Sequence, residues 1–423
     1  MLKKISVDDL SLGMYLHGLC GPWVDHPFWK SRFELRSPAD LAQLRASSVR
    51  ECWIDLSKGT DVPAAPVPVV AVVDAAAPAP LPILVPEPAP VPASAEPATM
   101  AEELGRAAAL VNASRAQMKS MFEEARMGRA LDAEQCLPMV AEITGSVWRN
   151  PGALISLARL KTHDDYSYMH SVAVCALMVS LARQLGQTEA QAREAGLAGL
   201  LHDMGKAMMP VDVLNKPGKL TTAEFDLIKT HPQRGHELLK GGTATPAIAL
   251  DVCLHHHERP DGHGYPFGLS GDALSTAARM GAVCDVYDAI TSNRPYKEGW
   301  DPADSVSRMT AWCKAGQFDS TVFAMFVRSL GVYPVGSLVR MRSGRLAVVV
   351  EQSATQLLKP WVKVFYSTKS QMPLPVELID TSDARANDQI AARESNAEWK
   401  FQHLDELWAG RDVLNAAAAA HSR

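Results

Sequence analysis

The segment GLLHDMGKAMMP, residues 199–210, sets an imidazole and a carboxylate, His202 and Asp203, directly behind an apolar run, and the ammonium of Lys206 follows three residues on. Ending a helix requires none of these together. Ligand-type residues recur beside or within other apolar helical runs. His170 lies in YSYMHSVAVCALMVSLARQL, His231 in KTHPQRGHELL, and Asp285 in MGAVCDVYDAITSNRPYK, while His255, His256 and His257 precede Glu258 in CLHHHERPDGHGYP. Nine of the 13 histidines fall between residues 163 and 263, under a quarter of the chain. Taken singly, each reads as a satisfied core or surface histidine. Together they need a shared partner, because a buried imidazole or carboxylate is costly unless paired or coordinated. Imidazole nitrogens and carboxylate oxygens suit Fe, Mn, Ni or Zn. A carboxylate such as Asp203 can bridge two such ions roughly 3.5–4 Å apart, the spacing used in phosphoryl displacement. Lys206 taken alone reads as a solvated lysine after a helix C-terminus, where a cation suits the dipole.

These residues must be held by helices. From Leu154 to Leu330 helical patterning dominates, broken at Gly186, Gly205, Pro217-Gly218, Gly241-Gly242 and a loop over 260–271. The expected fold class is mainly α: an all-helical core, with a small α+β N-terminal module and a small β-rich C-terminal appendage. Residues 1–60 form the module, with strands expected at MYLHGLC and CWIDL. Residues 61–99, with eleven prolines, cannot pack a core and read as a linker. Residues 100–150 are connecting helices, 151–332 the helical domain, 333–382 the β-rich domain (VGSLVRM, LAVVV, WVKVF, VELID), and 383–423 a helical tail with one amphipathic helix near AEWKFQHLDELWAG.

Composition narrows the class. A formal net charge of −5 argues against broad nucleic-acid binding. Seven scattered cysteines without a C-x-x-C pair suit a reducing compartment. No signal peptide and no proline-free spanning segment is visible, so a cytoplasmic protein without a membrane span is expected.

The series HDMGK, HP, HHE, DGHGYP and DVYDAITSNRPY, in that order over roughly residues 150–330, resembles the HD-GYP family, a branch of the metal-dependent HD phosphohydrolases. The resemblance implies a helical domain that binds two or three metal ions, commonly iron, and hydrolyses the bacterial messenger cyclic di-GMP. It implies metal ligands at His170, His202, Asp203, His231, His256, His257 and Asp285, with Asp203 bridging and also catalytic, and His255 outside the set. Lys206 matches the catalytic lysine. Arg294 and Lys297 match positions that contact substrate phosphate or guanine, and Gly264, Tyr265 and Pro266 are the motif loop, read as a rim or docking surface without chemistry of its own. Tyr166 stands where three-metal members carry a glutamate, one turn before His170. Two ions are therefore expected, iron foremost with Mn or Ni as alternatives, although Asp164 and Asp165 lie nearby. His263 occupies a usually small position in the loop, and His163 and His236 read as structural or surface residues.

The implied reaction is attack of metal-activated hydroxide on cyclic di-GMP, giving linear pGpG, with GMP as the further product some members reach. The alternative is a catalytically weak cyclic di-GMP receptor or scaffold acting through protein partners; the intact HD, Lys206 and HHE argue for the enzyme. From VDDLSLGMYL to VRECWIDLSKG the N-terminal module resembles the uncharacterised domain often found ahead of HD-GYP domains. It implies a regulatory role, with signalling-protein partners meeting this module or the GYP loop.

Overall fold

A computed structural model describes residues 2–19, 33–45, 50–56, 58, 60, 96–161, 166–216, 218–292, 299–353, 355–383, 385–386 and 388–418. The chain divides into two compact units, Met1–Ile83 and Leu84–Arg423. Most of the proline-rich stretch read as a linker lies outside the described residues.

In the first unit β1 (Leu2–Ser6), β2 (Tyr15–Leu19), β3 (Phe33–Glu34) and β4 (Glu51–Asp55) form an antiparallel sheet in the order β1-β4-β2-β3, and α1 (Pro38–Arg45) precedes β4. Strand alternation turns Cys52 and Ile54 inward and leaves Trp53 outside. The inward pair packs with Leu10, Met14, Leu16, Leu35 and Leu44.

The second unit opens with α2 (Met100–Arg126), whose start is set by a capping box between Thr99 and Glu102. There follow α3 (Leu137–Arg149), α4 (Pro151–Arg159), α5 (Tyr166–Gln184), α6 (Glu189–Leu201), a 3-10 turn (Met204–Met208), α7 (Val211–Leu214), α8 (Thr222–Ile228), α9 (His231–Lys240), α10 (Ala247–His255), α11 (Thr276–Thr291), α12 (Pro302–Lys314) and α13 (Ser320–Leu330). The Asn150-Pro151 break is also a start: Asn150 caps α4 and Pro151 takes its first position. Every residue of α5 from Met169 to Ala182 is buried. A helix apolar all round belongs at the centre, and α2, α3, α4, α6, α11 and α13 pack around it. The segment read as connecting helices joins that core, since Met118, Phe122, Ile143 and Trp148 share a cluster with Val174 and Leu177. Gly199 lets α6 approach closely, for a Cβ there would lie 3.0 Å from the Val174 carbonyl oxygen. The C-terminal end of α6 is thereby drawn beside the first turns of α5.

β5 (Leu338–Met341), β6 (Arg345–Glu351), β7 (Trp361–Ser367), β8 (Met372–Asp380) and β9 (Ile390–Arg393) form an antiparallel sheet in the order β8-β7-β6-β5-β9. One face packs Val339, Met341, Ala347, Val349, Val362 and Val364 together, and Leu338, Leu346, Val348 and Val350 belong to the helical core. The tail differs from the expected helix. Ile390–Arg393 pairs with the open edge of β5, satisfying backbone groups that a helix there would have left on β5. The expected amphipathic helix is split into α14 (Asn396–Trp399) and α15 (Leu404–Ala409), followed by α16 (Arg411–Ala418). Lys400 and His403 adopt left-handed conformations between α14 and α15. The Asn396 amide holds the Phe401 backbone at both ends, 2.9 and 3.0 Å, and the Phe401 ring meets Phe365, Tyr366 and Trp399.

Candidate metal centre

Helix ends supply the cluster. The last turn of a helix leaves carbonyl oxygens without partners, and three histidines use them. His202 Nδ1 lies 2.7 Å from the Gly199 oxygen, His231 Nδ1 2.7 Å from the Ile228 oxygen, and His256 Nδ1 3.0 Å from the Cys253 oxygen. A carbonyl only accepts, so each Nδ1 carries the proton and each neutral ring keeps its lone pair on Nε2. Those lone pairs converge. His231 Nε2 and His256 Nε2 stand 3.3 Å apart, an arrangement that repels unless a cation lies against both. His202 Nε2 and Asp203 Oδ1 are buried with no hydrogen-bond partner. This donor set fits a metal.

Asp203 stands in the middle, each of its oxygens near a different pair of histidines. Oδ1 is 3.2 Å from His231 Nε2 and 3.8 Å from His256 Nε2; Oδ2 is 3.4 Å from His170 Nε2 and 3.5 Å from His202 Nε2. Asp285 joins the second side, its Oδ1 3.0 Å from His170 Nε2, and its Oδ2 lies 3.6 Å from His257 Nδ1. The ligand atoms of His231, His256 and His257 form one group able to hold an ion, those of His170, His202 and Asp285 form another, and those of His202, Asp203 and His256 form a third that joins them. The protonation states suit coordination. Burial, reinforced by His257 and His202, holds His256 well below the usual imidazole range, and burial takes His257 down to about 3. Burial opposes ionisation of Asp203 and Asp285. The Lys206 ammonium nevertheless holds the first well below the carboxylate range, and His170 holds the second there. Lys206 pairs with Asp203 and keeps about a fifth of its side chain exposed (21%), so it reaches both the cluster and solvent.

Gly205 makes this approach possible. A Cβ there would lie 1.9 Å from the His231 carbonyl oxygen and 2.6 Å from the Gly235 nitrogen. The small residue inside HDMGK thus seats the start of α9, and His231 with it, against the turn that carries Asp203.

His170 is anchored differently. Its Nδ1 lies 2.6 Å from Asp288 Oδ2, and Asp288 pairs with the buried Lys161, whose ammonium also donates to Ser292 Oγ at 2.8 Å. Burial lowers the basicity of His170, but Asp285 and Asp288 win and raise it. The Tyr166 ring stacks on His170 at 5.9 Å, and the Lys161 ammonium sits 5.6 Å from the Tyr166 ring centre. Asp288 and Lys161 escaped the sequence reading. Asp288, three residues after Asp285 on one helix, carried a readable spacing signal; Lys161 carried none.

The motif loop braces the cluster. Tyr265 donates its backbone N–H to the His257 oxygen at 3.2 Å and lays its ring on His257 at 4.6 Å. Gly264 lies where a Cβ would come 2.4 Å from Glu258 Cα, and the Tyr265–Pro266 peptide is cis. The buried Glu258 accepts from the Phe267 and Leu269 N–H groups at 2.7 and 3.0 Å, a role the sequence did not disclose. His255 stands apart, paired with Asp251 at 2.8 Å, and His263 is exposed. Arg294, Lys297, His163, Asp164 and Asp165 lie outside the described residues. No described helix is long and apolar enough to cross a membrane.

The family profile of the HD domain matches residues 151–322, and that of a domain of unknown function, DUF3391, matches residues 2–136. The chain is 52% identical over 420 residues to a cyclic di-GMP phosphodiesterase of Pseudomonas aeruginosa, covering 97% of this chain and 96% of that protein. It is 41% identical over 188 residues to a cyclic di-GMP phosphodiesterase response regulator of Xanthomonas campestris pv. campestris, covering 44% and 48% of the two chains. A 3′3′-cGAMP-specific phosphodiesterase of Vibrio cholerae is 34% identical over 169 residues, covering 40% and 39%.

Proposed function

The chain belongs to the HD-GYP family of HD-domain proteins, and on that footing we propose that it hydrolyses cyclic di-GMP, with linear pGpG as the first product, at a centre of two divalent ions. Iron is the foremost candidate, with Mn or Ni as alternatives. The observation that carries this reading is Asp203, whose two oxygens each lie nearest a different pair of histidines. A carboxylate so placed is built to bridge. His231, His256 and His257 would hold one ion, and His170, His202 and Asp285 the other. A third ion is not expected beside Tyr166, because the Lys161 ammonium already neutralises Asp288 there.

Bound in these sets, the ions supply Lewis-acid chemistry, lowering the pKa of water and offsetting phosphoryl charge. The chain's own residues do the rest. Asp203 and Asp285, held ionised, set the charge of the centre. Lys206 places a positive charge where phosphoryl oxygens approach and can pass a proton to the departing ribose 3′ oxygen. Tyr265 holds the His257 ring in position. Arg294 and Lys297, just past the end of α11 in the chain, take substrate phosphate or guanine. Signalling partners would meet the N-terminal module or the motif loop, where Phe267 is 55% exposed; unchanged partner binding and turnover after deletion of residues 1–99 would remove the module from that role.

The test is anaerobic purification of the full chain, metal analysis, and product chromatography with cyclic di-GMP and 3′3′-cGAMP. About two ions per chain, as a bridged pair requires, and preferred turnover of cyclic di-GMP are expected. Asp203→Ala loses metal and activity together. Lys206→Ala keeps its metal and loses about 10²–10³-fold in turnover, the scale of removing one charge-stabilising donor. Bound cyclic di-GMP without product, across Fe, Mn and Ni reconstitution, would make the protein a receptor instead.

A further inference from the structure

A cavity of about 440 Å³ lies against α11, reached by Tyr287, Asp288 and Thr291 but by none of the cluster's ligand residues. Its other walls are the α3–α4 junction, the C-terminal half of α5, the end of α13 and the residues at and after the end of β6. The volume is in the range of small-molecule sites.

Its charge is unbalanced. Arg149, Arg159, Arg183 and Arg328 line it, against the carboxylates of Asp288 and Glu351. Asp288 is already taken by Lys161 and His170, and Glu351 accepts from the Met100 N–H and the Asn150 amide. Arg149 is matched by Glu103, at 2.7 Å through each of two nitrogens. Arg183 lies over Trp148 and donates to the Val147 and Trp148 oxygens, with no carboxylate partner among the described residues. Arg159 is the sharpest case. Its side chain is only 11% exposed, its contact with Asp405 is long at 4.0 Å, the Asp301 carboxylate acts on it only through space, and its Nε is buried without a hydrogen-bond partner. Two further lining groups share that condition: Trp148 Nε1, a donor, and Gln352 Oε1, an acceptor. Buried polar atoms are normally paired, and a desolvated guanidinium is costly without an anion. Between these groups the wall is apolar, with Ile155, Leu177 and Val335.

We propose that this cavity is a second ligand site, for a small organic anion whose phosphate or carboxylate meets Arg159. Its apolar body lies along Ile155 and Leu177. The site is separate from the proposed phosphodiesterase reaction and does not depend on it.

The test is calorimetric titration of the full chain with guanosine monophosphate, decanoate and inorganic phosphate, repeated on Arg159→Leu, Ser156→Phe and Asp203→Ala. Ser156 is buried and lines the cavity, so a phenyl ring there fills it. At least one organic anion is expected to bind saturably, one per chain, and about tenfold or more tighter than inorganic phosphate, since the apolar wall adds to the charge contact. Guanosine monophosphate as the tighter ligand identifies a phosphate head, decanoate a carboxylate. Arg159→Leu and Ser156→Phe each weaken binding about tenfold or more while keeping a cooperative melt, as loss of a buried charge partner or of space requires. Asp203→Ala leaves it unchanged. No saturable binding by any probe, equal binding in either cavity variant, or loss in Asp203→Ala would overturn the site, and phosphate binding as tightly as both organic anions would overturn the amphipathic ligand.

Discussion

The two sides of Asp203 are held by different means. On the Oδ1 side, His231 and His256 are anchored through Nδ1 to backbone carbonyls at helix ends. On the Oδ2 side, His202 is anchored in the same way to the Gly199 oxygen, but His170 is anchored to a carboxylate, Asp288, which depends in turn on Lys161 and Ser292. A neutral anchor leaves an imidazole no more basic than its burial allows, and His256 lies well below the ordinary range. A carboxylate anchor raises basicity, and for His170 Asp285 and the anchor Asp288 together do so despite burial. The backbone-anchored side is therefore as durable as its helices. The carboxylate-anchored side can be tuned, or broken, by a single distant side chain.

Four single substitutions and one double would sharpen that contrast. The largest effect is expected from Gly205→Val, which forces the His231 carbonyl away and separates the two sides; metal content and turnover should fall together, turnover by about 10³-fold or more, the scale of lost metal-assisted stabilisation. Retained metal stoichiometry in that variant would show that the close approach at Gly205 does not matter. Asp288→Asn acts on one side only. Metal titration should show one of two affinities weakened about 10–100-fold. Denaturant melts should show about 3–5 kcal/mol lost, because Lys161 is left buried without its carboxylate. Lys161→Met added to it should recover much of the stability but not the affinity; recovery of both would contradict the anchoring role of Asp288.

Smaller again is Glu258→Gln, which leaves a single acceptor oxygen for two loop N–H groups. About 1–3 kcal/mol of local stability should go, read as faster hydrogen exchange at Phe267 and Leu269, with metal content kept. The smallest effect on the centre is expected from Asp388→Asn, far along the chain in the sheet region. Burial opposes its ionisation, but Ser343 and Arg345 hold the carboxyl below its ordinary value. A carboxyl lowered in the folded state contributes stability above its unfolded value, about 3.9, and loses it as pH falls through the folded value. The variant should thus cost about 1–3 kcal/mol at neutral pH, with the difference closing below about pH 4, and turnover per folded molecule unchanged.

Much of the site was legible because its chemistry is local. His202, Asp203 and Lys206 are near neighbours in the chain, and a polar residue behind an apolar run announces a burial that must be balanced. The strands of the C-terminal sheet were legible for a similar reason, since LAVVV and WVKVF carry their preference within a few residues. What failed depended on partners far away. Ile390–Arg393 became a strand only because β5 offered an open edge, and the helix expected around residues 397–410 gave way to the contacts of Phe401.

The sequence by itself determined which residues could bind metal, their order along the chain and the helical character of their supports, because residue type and period are properties of short segments. Only the tertiary structure decided how they act together. It placed the two oxygens of Asp203 nearest different pairs of histidines, gave His170 a carboxylate anchor from α11, and used Gly205 to bring α9 within reach. Lone-pair direction, burial and close approach are relations between segments, and they come into being only when the helices pack.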